Sequence, residues 1–293
     1  MNINTRILAA GFLSIFLLAS SAFSQEAPNS DAATLPSPGV FVFRQQFRLT
    51  EFDKNDPLGH NRDVTEYQLL TRLSYGIAKD LSVTLDAPVS LRRIDESLST
   101  DYTDDFGLDD GLISLKWRPI KFDTGPIDTT RIAFTLGTYL PWGNPSKESG
   151  SPFSSGSFDP VVGVVMTSIR GRHGVNLGAR YRLNFGDPDD GSHPEPTGPG
   201  MSHADAIYAD ASYVYRLYPQ AFTADHSDGV YFTAELNGVY ETNGDTEVLA
   251  SPGLMYETQN FTLETGLQLP AYQKVDNRLS VDWVFVFGVR VQW

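Results

Sequence analysis

The chain has 293 residues, no cysteine and a formal net charge of −14 at pH 7. The lack of cysteine excludes disulfides, thiolate metal ligands and cysteine nucleophiles. The acidic balance disfavours nucleic-acid binding, because it repels phosphates. The mean hydropathy of −0.23 is that of many soluble proteins, but a membrane β-barrel can have the same value, since its strands turn only every second residue toward lipid.

The first predicted element is a secretory signal peptide over residues 1–24. Arg6 provides a positive start, and the apolar run from Ile7 to Leu18 precedes the small residues of Ala22-Phe23-Ser24. This run is shorter than the roughly 20 residues that a transmembrane helix needs, and no later run reaches that length. We therefore expect cleavage after Ser24 and export of the chain.

Residues 25–39 are rich in proline, serine and alanine, and this composition predicts a flexible periplasmic leader. Over residues 40–293 the dominant pattern is an alternation of apolar and polar residues, which is typical of β-strands. Twelve alternating segments follow one another: 40–53, 63–75, 81–94, 109–118, 130–140, 159–169, 175–185, 204–216, 230–241, 247–256, 261–271 and 279–293. An even number of strands places both chain ends on the periplasmic side of an outer-membrane barrel.

The lengths of the connections agree with that orientation. Long connections, at 95–108, 141–158 and 186–203, fall on the outer side, and short ones, at 76–80, 170–174 and 257–260, fall on the periplasmic side. Bulky apolar residues line one face of nearly every segment, and little chain is left for a second layer, which disfavours a soluble β-sandwich. We predict an all-β fold, an up-and-down antiparallel transmembrane β-barrel of about twelve strands within a range of ten to fourteen.

The last segment carries a predicted assembly signal. Its apolar positions alternate regularly and end on an aromatic residue, as in Phe287, Val289, Val291 and Trp293. This pattern resembles the terminal signal of outer-membrane barrels. We therefore expect the barrel-assembly machinery, outer-membrane lipid and lipopolysaccharide to be partners, with the cell outer membrane as the location.

The polar positions of the segments are assigned to the barrel interior. Basic side chains come from the first eight segments and acidic ones from later segments: Arg44, Arg48, Arg72, Arg92, Lys116, Arg180, Arg182 and Arg216, then Glu235 and Glu264. Enclosed charges must be paired or hydrated. One interpretation is a narrow, water-filled pore in which a basic wall faces an acidic wall. The other is that these charges pair across the lumen and plug it.

Catalytic and metal-binding patterns are weak. The stretch His226-Ser227-Asp228 has the residue types of a hydrolase triad, but adjacent residues on a strand face opposite ways. The acidic stretch from Asp187 to Gly191 lacks the spacing of a calcium loop. We therefore expect no enzyme activity, no catalytic residue, no metal and no other cofactor.

Four stretches in the middle of the chain resemble a known family. They are Gly107-Leu108-Asp109-Asp110-Gly111 running into Leu115-Lys116-Trp117-Arg118, Leu140-Pro141-Trp142-Gly143, Gly156-Ser157-Phe158-Asp159-Pro160 followed by Gly163, and Leu183-Asn184-Phe185-Gly186-Asp187. The family is the barrel family labelled for the MetA pathway of phenol degradation, a set of outer-membrane transporters. The resemblance implies passage of small molecules, with aromatic or hydrophobic compounds among them. Our first hypothesis is thus a channel or transporter, the second a plugged structural or surface-interaction barrel, and the third an outer-membrane hydrolase.

Overall fold

The computed structural model describes residues 26–53, 62–96, 102–125, 127–143, 153–186, 204–221 and 228–293. The predicted signal peptide, residues 1–24, lies outside them. The strands are β1 (Phe41–Phe52), β2 (Arg62–Ala78), β3 (Leu81–Glu96), β4 (Tyr102–Leu108), β5 (Gly111–Asp123), β6 (Thr129–Leu140), β7 (Pro160–Arg170), β8 (His173–Arg182), β9 (Ala206–Tyr218), β10 (Gly229–Glu241), β11 (Thr246–Glu257), β12 (Phe261–Lys274) and β13 (Val281–Gln292). Across these ranges, no helix is long and apolar enough to cross a membrane.

The strands form one antiparallel sheet that closes on itself. Strands that follow one another in sequence pair, except that β4 and β5 both pair with β3, and β13 pairs with β1 so that Phe287 lies opposite Phe47. Two further hydrogen bonds complete the seam: the Phe41 N–H donates to the Trp293 carbonyl at 2.9 Å, and the Trp293 N–H donates to the Phe41 carbonyl at 3.0 Å. Closure pairs the backbone groups that an open sheet edge would leave unsatisfied.

The wall contains twelve strands, as predicted, because β4 and β5 together make one of them. Both pair with β3, β4 along Val89–Asp95 and β5 along Leu81–Asp86. The interruption falls at Asp109 and Asp110, between the two parts. Part of the predicted outer loop at 95–108 is therefore strand. The outward Phe106 and Leu108 continue the period-two pattern there, but their acidic neighbours obscured it.

The barrel is apolar outside and polar inside. Large outward side chains are exposed, among them Leu69, Leu115, Leu136, Val162, Leu177, Leu236, Leu254 and Phe285. Inward positions of the same strands carry buried polar residues, among them Ser90, Thr167, Asn176, Thr233 and Glu264. This distribution is the reverse of that in a water-soluble protein and is the one expected of a barrel whose outer surface meets lipid.

Phe41 and Trp293 lie at the same end of the barrel, which we call the near end, as the even strand count predicted. The turn between β7 and β8 is tight here, and Gly171 adopts a φ of 58° in it. Such a positive φ is accessible to glycine without steric cost. The last residues of β1, β3, β6 and β8 lie at the opposite, far end.

Residues 26–37, which we call the N-terminal segment, run inside the barrel. The chain reverses at Gly39, whose φ is 82° and whose N–H donates to the Gly76 carbonyl at 2.8 Å. Ala27, Ala32 and Ala33 are completely buried. This arrangement differs from the flexible leader expected from composition. Twelve strands enclose a space wider than wall side chains readily fill, and the small residues of the segment fit into it.

Candidate functional site: the barrel lumen

Glu235 on β10 holds the N-terminal segment from one side of the lumen. Its carboxylate accepts hydrogen bonds from the Asn29 backbone N–H at 3.1 and 3.2 Å, from Asn29 Nδ2 at 3.1 Å and from Ser30 Oγ at 2.7 Å. Asn237, on the same strand, donates through Nδ2 to the Asn29 carbonyl at 3.2 Å. Glu235 is a predicted lumen residue, and its principal partner is a segment that the sequence had placed outside the barrel.

A second part of the wall, formed by β1, contacts the same part of the segment. Arg44 Nη2 and Gln46 Nε2 each donate to the Pro28 carbonyl at 2.8 Å. Arg48 Nη2 donates to Asn29 Oδ1 at 3.0 Å. Since β1 and β10 lie on different sides of the barrel, the segment bridges the lumen at this level.

A third set of contacts fixes the second half of the segment. The Ala33 N–H donates to Thr167 Oγ1 on β7 at 2.8 Å. Lys116 on β5 forms an ion pair with Asp31 and donates to the Ala32 carbonyl at 3.1 Å. Burial raises the pKa of the Asp31 carboxyl, but the charges of Lys116 and Arg72 outweigh that effect and lower the pKa to about 2. The carboxylate is therefore ionised at neutral pH.

Most of the predicted basic residues pair with acids of the wall itself. Arg44 pairs with Glu264 at 2.7 Å, which brings two predicted lumen residues together. Arg72 pairs with Asp86 at 2.7 Å, and Arg92 pairs with Glu66 on the adjacent strand β2. The expected division into a basic wall and an acidic wall is therefore not the arrangement found: acids are interleaved with the arginines.

Three further buried acids, Glu66, Asp86 and Asp159, were not among the predicted lumen residues. Glu66 and Asp86 occupy the inward, even-numbered positions of β2 and β3 that also carry Arg72 and Arg92. The alternation along β2 and β3 could therefore have predicted that both acids face the lumen. Asp159 was predicted as the first residue of the segment 159–169, but it precedes β7, where it pairs with Arg182.

Two other predicted lumen arginines have distinct surroundings. Arg180 lies 3.8 Å from Asp210 and over the ring of Tyr208, with 5.2 Å between its guanidinium carbon and the ring centroid. Arg216 is buried near the near end, opposite Tyr231 in the β9–β10 register.

The far end is covered by residues that fold inward. Phe153 is completely buried and lies under the Arg92 guanidinium, 4.3 Å from it. The Ser155 N–H donates to the Asp110 carboxylate at 2.8 Å. On the other side of the opening, an apolar cluster packs together: Phe52, Val64, Ile94, Leu279, Val281, Val284 and Val286. The described parts of the far end therefore narrow the lumen from two sides.

A cavity of about 130 Å³ remains inside the lumen toward the near end. Its cationic lining consists of Arg44, Arg72, Lys116, Arg131, Arg180 and Arg290. Glu26 and Asp31 of the N-terminal segment also line it. The space is large enough for a small solute and is dominated by positive charge.

The described residues include one histidine of the five. His173 is exposed at the near end, where its Nδ1 lies 2.6 Å from the Tyr213 hydroxyl. His60, His193, His203 and His226 lie outside the described residues, as does most of the triad-like stretch. Within the described part of the chain, no group of three or more His, Asp and Glu side chains is arranged to hold a metal ion.

The wall is closed, its exterior is apolar, and its interior is polar and filled by a segment of the chain. These features together are those of the class of outer-membrane-type β-barrels. Comparison with solved structures agrees at the level of fold. The COG4313 outer membrane channel from Pseudomonas putida F1 superposes with a TM-score of 0.61 at 13% identity, covering 92% of this chain and 100% of that one. The chain thus shares the barrel fold of an outer-membrane channel.

Two further similar structures are more distant. The translocator domain of the autotransporter NalP from Neisseria meningitidis covers 99% of this chain and 94% of its own, at 12% identity and a TM-score of 0.44. The CymD monoaromatic hydrocarbon channel covers 88% and 89%, at 10% identity and a TM-score of 0.42. No protein-family model and no curated relative matches the sequence.

Proposed function

We propose that this protein is an outer-membrane channel for small solutes and that the N-terminal segment closes it. The apolar exterior suits a bilayer, and the pairing of β13 with β1 leaves no open edge between the two strands. Outer-membrane lipid, lipopolysaccharide and the barrel-assembly machinery are the partners that this location implies. No residue is proposed to be catalytic.

One observation carries the proposal: a separate segment fills the centre of the lumen. Glu235 and Thr167 form hydrogen bonds with Asn29, Ser30 and Ala33 of the segment, and none of these bonds belongs to a strand pairing. A segment held by such bonds can leave the lumen without breaking the β-sheet. The polar lining that it would expose favours hydrated solutes. Aromatic solutes, which the family resemblance implies, would have to carry a polar or charged group.

A plugged barrel without transport is the second candidate, and the far end favours it. The cluster around Val284 and Val286 is apolar and buried, and the adjacent pair of Arg92 with Glu66 is buried too. A barrel closed both by the N-terminal segment and by the apolar cluster at the far end would have a structural role or a role in surface interaction.

Conductance in planar bilayers separates the two functions. We expect the full chain to show low conductance and a variant lacking residues 26–37 to show a several-fold larger one. A matched control is Lys121→Gln, which removes an exposed charge at the near end of β5 and should leave conductance unchanged. Heat-modifiable migration on gels checks that each variant is folded. A folded deletion variant that inserts but does not conduct would refute the channel and support the plugged barrel.

A further inference from the structure

Two carboxylates of the N-terminal segment lie in clusters of wall cations. Glu26 is 2.9 Å from Arg44 Nη1, 3.6 Å from Arg290 Nη1 and 3.8 Å from Arg72 Nη1. Three guanidinium groups around one carboxylate is the arrangement by which proteins bind carboxylate ligands. In this chain, however, the carboxylate belongs to the protein.

Asp31 lies in a second cluster, formed by Lys116 with Arg72 and Arg180 nearby. Lys116 depends on the segment for its counter-ion: within the described residues, its only acidic partner is Asp31. Its other hydrogen bond also goes to the segment, at the Ala32 carbonyl. Departure of the segment would therefore leave the Lys116 ammonium group without the carboxylate that pairs with it.

The two clusters open onto the same cavity of about 130 Å³. Six cations line it, and four acids of the wall line it or contact those cations: Asp86, Asp210, Glu257 and Glu264. Glu26 and Asp31 of the segment add two negative charges to the cavity. Because enclosed charges must be paired or hydrated, a lumen without the segment needs two negative charges from elsewhere.

We propose that this cavity is a binding site for small organic carboxylates and that Glu26 and Asp31 occupy it as internal mimics of the ligand. A dicarboxylate that enters from the near end competes with both side chains and favours release of the segment. The release part rests on the proposed channel function, whereas the binding site does not. A ligand can shift an equilibrium only through its different affinity for the two states, and here it binds more tightly where the Glu26 and Asp31 carboxylates are absent from the cavity.

Calorimetry on the purified barrel in detergent tests the site without requiring conduction. Succinate, titrated at constant ionic strength, should bind the variant lacking residues 26–37 at least tenfold more tightly than it binds the full chain. Lys116→Gln in the deletion background should weaken binding at least tenfold, and Lys121→Gln should not. No binding to the folded deletion variant, or equal binding by the Lys116→Gln form, would overturn the proposal.

A second variant covers the case in which the deletion fails to fold. Glu26→Gln combined with Asp31→Asn keeps the segment but removes both mimics, so it should bind succinate more tightly than the full chain does. Sulfate is the control anion, because it has the same charge without the carboxylate geometry. Equal binding of sulfate would overturn the carboxylate site. A deletion variant that conducts but binds no succinate would overturn this inference alone, and one that binds succinate but never conducts would overturn only the channel.

Discussion

Glu235→Gln should release the N-terminal segment from the lumen. The carboxylate accepts hydrogen bonds from Asn29 and Ser30 and is itself buried. Glutamine has nearly the same size, but one of its two terminal groups is a donor, which faces donors of the segment. Above about pH 8, where the buried carboxyl is ionised, the substitution therefore removes charge-assisted hydrogen bonds without opening a cavity.

The size of the effect follows from the number of bonds lost. A hydrogen bond to a charged group contributes about 1.5–3 kcal/mol, and about two such bonds are lost, with partial compensation by the amide oxygen. We expect the free energy that favours the bound segment over the released one to fall by about 3 kcal/mol. At about 1.4 kcal/mol per factor of ten, the released fraction should rise by roughly 100-fold.

Thiol labelling measures that fraction directly. The chain has no cysteine, so Ala32→Cys places a single thiol at a fully buried position of the segment. When reclosing is fast, the labelling rate is proportional to the released fraction. Glu247→Gln is the matched control, since this buried carboxylate accepts hydrogen bonds from Arg278 and Gln273 but, within the described residues, none from the segment. An unchanged rate in folded Glu235→Gln, or an equal increase in Glu247→Gln, would refute the reasoning.

Two further predictions concern pH and assembly. Because the Asp31 pKa is lowered from 3.8 to about 2, its stabilising contribution is complete above the ordinary value and is lost only as the pH falls through about 2. Acidification from pH 7 to 4.5 should therefore not release the segment through Asp31, and faster labelling that Asp31→Asn abolishes would contradict this. Deleting residues 289–293 should abolish heat-modifiable migration and outer-membrane recovery, since Val289 and Val291 pair with β1; normal levels of folded protein would exclude a terminal assembly signal.

The barrel itself could be predicted from the sequence because its dominant signal is local. Alternation along β13 places Phe285 and Phe287 outward and Val284 and Val286 inward, and a one-residue slip would reverse every side chain. Such periodicity is visible without knowledge of any partner strand. The same parity assigned Arg44 and Glu264 to the interior, where they form an ion pair.

The position of the N-terminal segment could not be predicted in this way. Its bonds join Asn29 to Glu235 and Ala33 to Thr167, over sequence separations of 206 and 134 residues. Proline, serine and alanine in a short stretch have no period, and the same composition suits a solvated linker. The deciding fact is the width of the closed barrel, which exists only after all the strands have paired.

The wet pore and the paired plug inferred from the sequence are not exclusive alternatives. The pairs of Arg72 with Asp86 and of Arg180 with Asp210 join adjacent strands, so they run along the wall and do not cross the lumen. The N-terminal segment runs through the lumen and links β1, β7 and β10, by its hydrogen bonds to Arg44, Thr167 and Glu235. Removing one member of a wall pair would leave a buried charge, which typically costs about 3–5 kcal/mol. Removing the segment breaks none of those pairs, because both partners of each pair belong to the wall. Water and cavity solutes would then take the place of the segment beside them. The lumen can therefore open at the segment while its charged lining stays in place.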